Sequence, residues 1–110
     1  MDAGKLMHRM TLQRPVDVQD AVSGAMVRTW ADVTGLWAAI EYLSARDLLA
    51  AQAQQSQVVA RIVIRFRAGV TDDMRLLHGG KVFDIAGVLP DRKTGREYLT
   101  LPCSEGLTSG

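Results

Sequence analysis

Apolar and polar side chains alternate over residues 58–67, which makes this the most regular segment of the chain. One set of alternate positions is apolar: Val58, Ala60, Ile62, Ile64 and Phe66. The other set consists of two valines and three arginines: Val59, Arg61, Val63, Arg65 and Arg67. Because successive side chains of a β-strand point to opposite faces, this pattern predicts a long strand with one buried face and one cationic, wet face.

Shorter segments predict further strands around this one. They cover residues 8–14, 27–33, 37–43, 76–77, 82–85 and 98–103. Pro15 is expected to end the first of them because proline lacks a backbone donor, and Gly35 is expected to separate the second from the third. Gly79-Gly80 suits the tight turn of a β-hairpin, and residues 90–95 are predicted to form a charged turn.

Two segments depart from the strand pattern. Residues 17–25 show no hydrophobic period and contain the turn signal Ser23-Gly24, so they are predicted to form a long early loop. Ser44 followed by Asp47 is a variant of the capping box, which predicts a helix that runs to about Gln55. The glutamine-rich end of that helix is expected to resist burial in a monomer.

These elements predict a mainly β fold class, a small β-barrel of about six or seven strands with one short inserted helix and a long early loop. A closed or nearly closed barrel is the simplest arrangement because unpaired strand edges promote aggregation. The length of 110 residues fits one domain. We predict a single domain over residues 1–110, with flexible tails at 1–6 and 104–110.

Composition narrows the function classes. A net charge of +1 predicts no strong general attraction to nucleic acid or to an anionic membrane. Arginines outnumber lysines by ten to three, which favours planar, multi-donor contacts with proteins or phosphates. The single cysteine, Cys103, leaves no internal disulfide and fits a reducing compartment. The chain lacks both a signal-peptide pattern and an apolar stretch of ~20 residues, so we expect an unexported, soluble protein.

Residue types that carry chemistry are scattered along the chain. His8 and His78 lie in separate predicted elements without a second ligand spaced beside them, whereas a zinc site needs about four ligands. A buried structural thiol is favoured for Cys103 over a nucleophile, because no neighbouring base can be inferred. Asp72-Asp73 suits the start of a turn better than a cation site. We therefore expect no enzyme activity, no metal and no cofactor.

The arginine-bearing face has two interpretations. Small barrels that bind single-stranded nucleic acid combine a basic groove with exposed stacking aromatics. Phe66 falls opposite the arginines and Phe83 is flanked by apolar residues, so both aromatics are predicted to lie in the core. The arginine stripe is then either a solvated strand face or a protein interface, and the residues favour the two equally.

The order of short motifs resembles the tailed-phage head–tail joining proteins, also called head-closure, adaptor or stopper proteins. The motifs near the start are Gly4-Lys5-Leu6, His8-Arg9, Thr11-Leu12-Gln13-Arg14-Pro15, Thr29-Trp30-Ala31-Asp32-Val33 and Leu36-Trp37-Ala38-Ala39-Ile40-Glu41. Those that follow are the helix start at 44–47, then 62–67, 69–71, 74–75, 80–85, 96–97, Leu99, Leu101 and 103–106. They run nearly end to end, and their order and spacing carry the resemblance.

The resemblance implies a small β-barrel subunit in a homomeric ring, typically dodecameric, under the portal and adaptor proteins at the exit vertex of the capsid. Such rings join the filled head to tail or tail-terminator proteins and help retain packaged double-stranded DNA, without sequence specificity. The implied location is the neck of the virion, after synthesis in the cytoplasm of a bacterial host. The family has no catalytic residues, and neither a cofactor nor a membrane is implied.

Two sets of candidate site residues follow. In some family members a loop closes the channel, and its position here is Asp17, Val18, Gln19, Asp20, Ala21, Val22, Ser23, Gly24 and Ala25. An ordinary hairpin loop is an equal alternative for this segment. The candidate interface consists of Arg61, Arg65, Arg67, Gln52, Gln54 and Gln55. We expect a monomer or weak oligomer in isolation and a ring on a preformed partner ring, where many linked contacts act together.

Two other functions fit the predicted fold. A tail-completion or tail-terminator protein would form a similar ring but bind the tail tube. A small nucleic-acid-binding β-barrel of cellular origin would show salt-dependent binding to single strands.

Overall fold

The computed structural model describes residues 5–106, which form seven β-strands and one α-helix. The strands are β1 His8–Gln19, β2 Met26–Tyr42, β3 Ala60–Arg65, β4 Arg75–His78, β5 Lys81–Ile85, β6 Leu89–Pro90 and β7 Tyr98–Gly106, and the helix is α1 Ala45–Ala53. The predicted mainly β class with a single inserted helix is confirmed.

Six of the strands close into an antiparallel barrel. The order around the barrel is β1, β2, β3, β7, β5 and β4, which returns to β1. Pairing of β3 with residues 98–103 of β7 closes the sheet on itself. The short strand β6 pairs with β7 as an addition to the barrel. The predicted closed barrel is therefore confirmed.

The core is built from inward-facing side chains of all six barrel strands. Its largest fully buried members are Phe83, Met10, Leu12, Ile62, Ile64, Leu76, Leu101 and Cys103. Burying each large aliphatic or aromatic side chain contributes about 1.5–3 kcal/mol. The predicted burial of Phe83 and the alternation of Ala60, Ile62 and Ile64 in β3 are confirmed.

The alternating segment 58–67 extends beyond the strand that it predicts. Phe66 was expected in the core, but it lies after the last paired residue of β3, at the mouth of the barrel, and is 42% exposed. Its side chain points to the face that the alternation predicts, but no strand within residues 5–106 covers it there. Val63, expected on the wet face, is buried between Ala39 of β2 and Thr100 of β7.

Strand β2 is continuous, so the prediction of two strands separated by Gly35 is wrong. Gly35 pairs with Thr11 inside the β1–β2 ladder. Pro15 lies inside β1, paired with Trp30, and the prediction that it ends the strand is also wrong. Proline is tolerated at this position because β1 is an edge strand here, beyond its pairing with β4.

Strands β1 and β2 continue past the barrel as a two-stranded ribbon. β1 pairs with β4 only over residues 11–13, and a β-bulge shifts the β1–β2 register between Leu12 and Gln13. Beyond the bulge, residues 14–19 pair with residues 26–31. Residues 14–31 are termed the hairpin arm. The predicted loop over 17–25 is too long, because residues 17–19 belong to β1 and the turn covers 20–25.

The remaining boundaries differ modestly from the predictions. Residues 104–106, assigned to a flexible tail, continue β7 and pair with β5, and Leu6 is buried. Residues 1–4 and 107–110 lie outside the described residues. Helix α1 starts after Ser44, as predicted, and ends at Ala53 rather than near Gln55. Within residues 5–106, no helix has the length and apolar character to cross a bilayer.

Candidate functional site

The tip of the hairpin arm is organised by Asp20. Its carboxylate accepts a hydrogen bond from the backbone N–H of Val22 at 3.0 Å and one from the hydroxyl of Ser23 at 3.0 Å. These two bonds, the Val22 bond first, lower the pKa of Asp20 from its ordinary value. Gly24 follows with φ at 73°, which glycine adopts without strain. The turn holds the side chain of Val22 in solvent, 95% exposed.

Both faces of the hairpin arm carry a mixture of apolar and polar side chains. Directly opposed residues of an antiparallel pair share a face. Val18 opposes Val27 on one face, and Asp17 opposes Arg28 on the other, with Arg28 Nε 3.4 Å from Asp17 Oδ1. That ion pair is exposed and contributes at most about 1 kcal/mol. Because a two-stranded ribbon is marginally stable in water, the arm depends on how it is anchored at its base.

A polar cluster anchors the arm at the bulge. It consists of Gln13, Trp30, Asp32 and Arg75 and is termed the arm clamp. Arg75 Nε of β4 donates to Gln13 Oε1 at 2.8 Å, and Gln13 Nε2 donates to Asp32 Oδ1 at 2.6 Å. The Arg75 guanidinium lies over the Trp30 ring, 4.2 Å from its centroid. Arg75 and Gln13 are buried, so these contacts are worth more than pairs in open solvent.

Beside the base of the arm, a cleft of about 230 Å³ opens where β2 and β3 separate. This arginine cleft is lined by Leu36, Trp37, Ile64, Arg65, Phe66 and Arg67. Trp37 is 53% exposed, and Phe66 beside it is also solvent-accessible. Two arginines and no carboxylate line the cleft among the residues that the structure describes. An apolar floor with a cationic rim complements an apolar group that carries negative charge beside it.

A third arginine reaches the same wall of the barrel across Gly35. The Arg9 guanidinium lies over the ring of Trp37, 5.4 Å from its centroid. A Cβ on residue 35 would lie 2.8 Å from Arg9 Nη2, so a larger residue here would displace the end of the Arg9 side chain from this path. Gly35 therefore marks a close side-chain approach inside a strand, a role that the sequence pattern does not distinguish from a strand break.

The three arginines of the candidate interface do not form one continuous stripe. Arg65 and Arg67 line the arginine cleft. Arg61 lines a separate groove of about 430 Å³ together with Asp91, and its Nη1 lies 4.0 Å from Glu41 Oε1. The charges in that groove offset one another. The structure therefore separates Arg61 from the other two arginines.

The candidate glutamines cluster where α1 ends. Gln52 is the penultimate residue of the helix, Gln54 is its C-cap, and Gln55 follows with φ at 62°, unusual for a residue other than glycine. The N–H of Ser56 donates to the carbonyl of Ala51 at 2.8 Å, in the Schellman pattern. All three glutamines are exposed, at the barrel end opposite the arm.

Asp91 organises the turn that leads from β6 into β7, a role that the sequence analysis missed. Its Oδ2 accepts the N–H of Thr94 at 2.9 Å, and its Oδ1 accepts the N–H groups of Glu97 at 2.9 Å and Tyr98 at 3.3 Å. The Thr94 bond, followed by the Glu97 bond, holds the pKa of Asp91 far below its usual range. An aspartate at the start of a turn that contains Thr94-Gly95 is the sequence signal for it.

The remaining reactive residue types do not form a site in the described part of the chain. Pairing of β1 with β4 brings His8 and His78 edge to face, with ring centroids 5.1 Å apart. Within residues 5–106, no group of three or more His, Cys, Asp or Glu side chains could hold a metal. Burial raises the pKa of the Cys103 thiol to about 12, which makes it a poor nucleophile at neutral pH.

Comparisons with known proteins identify one family and two similar solved structures. The family model for the phage head completion protein matches residues 1–106. The solution structure of protein SF1141 from Shigella flexneri 2a is similar at 30% identity with a TM-score of 0.75, covering 99% of this chain and 100% of that chain. A chain from the virion of a native gene transfer agent particle is similar at 18% identity with a TM-score of 0.59, covering 92% and 94%. No curated protein sequence matches the chain.

Proposed function

The chain belongs to the phage head completion protein family, and we propose that its copies form a ring in the neck that connects the DNA-filled head to the tail. Membership makes it a structural protein of the virion at the head–tail interface. The ring itself, its dodecameric number, a portal or adaptor ring as one neighbour and tail proteins as the other are our proposals. The head completion family favours the head side of the neck over a tail-terminator role.

The hairpin arm is the observation that carries the ring proposal. It extends beyond the barrel, its tip is held in an ordered turn, and Val22 at that tip is 95% exposed. Exposed apolar side chains on the arm include Val18, Met26 and Val27, and within residues 5–106 its strand edges are unpaired. Such a ribbon gains stability when another chain covers it. A second copy of this chain provides such a cover when the arm of one copy contacts a different surface of the next. Heterologous contacts of this kind form a ring when the rotation between copies closes.

We also propose that the arm tip, residues 17–25, narrows the channel and helps to retain DNA. This tip carries two carboxylates, Asp17 and Asp20, and no cation. The phosphate backbone of DNA repels a tip of this charge, because the tip has no cation to neutralise a phosphate. The tip can therefore obstruct the channel without adhering to DNA. Contact with the packaged duplex would then be independent of base sequence.

A second candidate function has one specific observation in its favour. Trp37 and Phe66 are exposed beside Arg65 and Arg67, the combination that single-stranded nucleic acid sites use. Fluorescence anisotropy with a labelled single-stranded oligonucleotide at low and high salt tests it. Micromolar, salt-dependent binding that Trp37→Ala abolishes would favour this candidate, and lack of binding would favour the structural role.

Particle assembly without the subunit tests the main proposal. Host cells that produce particles lacking this protein should accumulate filled heads and free tails that remain separate, and supplying the wild-type chain should restore joined particles. Separated heads and tails are resolved by sedimentation and electron microscopy. Normally joined particles in the absence of this subunit would refute the proposal.

A further inference from the structure

We infer that the tip of each hairpin arm docks in the arginine cleft of a neighbouring copy of this chain. The inference rests on the proposed ring and names the contact that joins one subunit to the next. Val22 is the apolar anchor that enters the cleft between Trp37 and Phe66. Asp20, two residues before the anchor, faces the arginines at the rim.

The two surfaces match in size and polarity. The tip presents one aliphatic side chain, Val22, that is almost fully exposed, on a turn that carries a carboxylate and no cation over residues 18–27. The arginine cleft presents two aromatic side chains and two arginines. Its volume of about 230 Å³ is below the ~300 Å³ of the smallest typical ligand pockets. The cleft therefore suits a single side chain with its adjoining backbone.

The contact must join two copies. Trp37 lies in β2 only five residues from Asp32, where the arm clamp fixes the base of the arm. The tip lies at the far end of a paired ribbon in which Val18 opposes Val27. A tip that folded back onto its own cleft would have to break this ladder. A neighbour's cleft can be reached with the ladder intact.

The reach of the arm agrees with the spacing of packed copies. From Gln13 to Gln19 the strand advances about 20 Å, at about 3.3 Å per residue, and the turn adds to this length. The two shorter dimensions of the subunit are 32 and 24 Å. From Met26, beside the turn, to Trp37 the strand β2 advances about 36 Å at about 3.3 Å per residue. A neighbouring copy displaced by about this distance along the arm, close to the 32 Å dimension of the subunit, would place its cleft at the tip.

The docking proposal and the channel proposal place the same arm tip in two different positions. A tip seated in the neighbour's cleft lies against the ring wall, and a tip released from it is free to enter the channel. The docked position therefore corresponds to the open channel, after DNA has left the particle. Cross-linking before and after DNA release separates the two proposals.

The test uses cysteines in purified particles. In the double variant Ala21→Cys with Ala68→Cys, the thiols lie beside the tip anchor and beside the cleft, and Val22, Trp37 and Phe66 are kept. A short bismaleimide should link each subunit to the next and produce a ladder of multimers from emptied particles on a denaturing gel. Buried Cys103 should not contribute, and each single variant checks this. The matched control joins Ala21→Cys with Leu49→Cys, which places the second thiol on exposed α1 at the opposite barrel end, and should give no ladder.

Each outcome bears on a distinct claim. A ladder in emptied particles that weakens when Asp20→Asn is added supports docking, whereas Asp47→Asn on α1 should leave the ladder unchanged. Absence of the ladder in emptied particles that contain the subunit would overturn docking and leave the proposed ring standing. An equal ladder in filled and emptied particles supports docking but contradicts the gate. Particles that join without incorporating the subunit contradict the proposed function itself.

Discussion

Replacing Arg75 with methionine should destabilise the fold and loosen the hairpin arm. Methionine keeps the length and apolar volume of the side chain, so the variant leaves little cavity and the free-energy cost of a cavity is small. The variant loses the Arg75 Nε bond to Gln13 Oε1, 2.8 Å long and buried, and hydrogen bonds to charged groups are worth ~1.5–3 kcal/mol. It also loses the contact of the guanidinium with Trp30, worth ~0.5–2 kcal/mol. Because neighbouring contributions are not additive, we expect a total loss of about 2–4 kcal/mol.

Two measurements on the purified protein check this expectation. Urea denaturation gives the change in the free energy of unfolding, and hydrogen exchange gives the local opening of each strand. Backbone amides in residues 14–19 and 26–31 should lose protection more than those of β3 and β7, because the arm has its clamp at Gln13 and the barrel has its own core. Arg46→Met, at an exposed position of α1, is the control and should change stability by less than about 0.5 kcal/mol.

A double-mutant cycle identifies the source of the loss. Trp30→Leu alone should also weaken the clamp, and combining it with Arg75→Met should cost less than the sum of the two, because both variants remove the same contact. The reasoning is refuted if Arg75→Met behaves like the Arg46→Met control and leaves exchange in the arm unchanged. In that case the arm would be held by its ladder alone.

Three further predictions concern the surface, the β6–β7 turn and the core. Arg65→Glu should block head–tail joining in a complementation assay, with the fold intact by circular dichroism. Arg61→Glu should have a weaker effect, because this variant loses only an exposed ion pair with Glu41 at 4.0 Å. Equal joining by both variants would show that the arginine cleft is merely solvated. Asp91 has a folded-state pKa below its unfolded value of about 3.9, so its contribution to stability is present above that pH and is lost as the pH falls through the folded-state pKa. Amide exchange over residues 94–98 should therefore rise in acid, and Asp91→Asn should raise that exchange at neutral pH. Identical exchange in the variant and the wild type would contradict this role. Cys103 should react with a thiol reagent only as fast as the protein unfolds, and rapid labelling of the native chain would show that it is not buried.

The barrel was predictable because its signals are local. Alternation in β3, the glycine pair at the β4–β5 hairpin and the Ser44 cap each depend on a few adjacent residues, and all three elements form in the structure. Closure was predictable from a general cost, the exposure of strand edges. The prediction for Phe66 was wrong because alternation shows which way a side chain points but not where the neighbouring strands end.

The arm and its clamp depend on partners distant in sequence. Gln13 and Arg75 are 62 residues apart, and nothing at either position signals the other. From the local sequence, Gly35 indicates a strand break. Its actual role depends on the Arg9 side chain that crosses it, and that side chain belongs to another strand. For the same reason the arginines of 61–67 suggested one stripe, whereas the point where the β2–β3 pairing ends, at Ala38 and Ile64, divides them between two surfaces. Long-range register decides these features, and residue spacing within one segment does not contain it.

Electron cryomicroscopy of the intact neck is the direct test of the proposed ring. We expect a closed ring of copies of this barrel between the portal side of the head and the tail, with the hairpin arm of each copy directed to the next copy or to the channel. A joined neck whose density contains no such ring, or contains this subunit only as isolated copies, would contradict it.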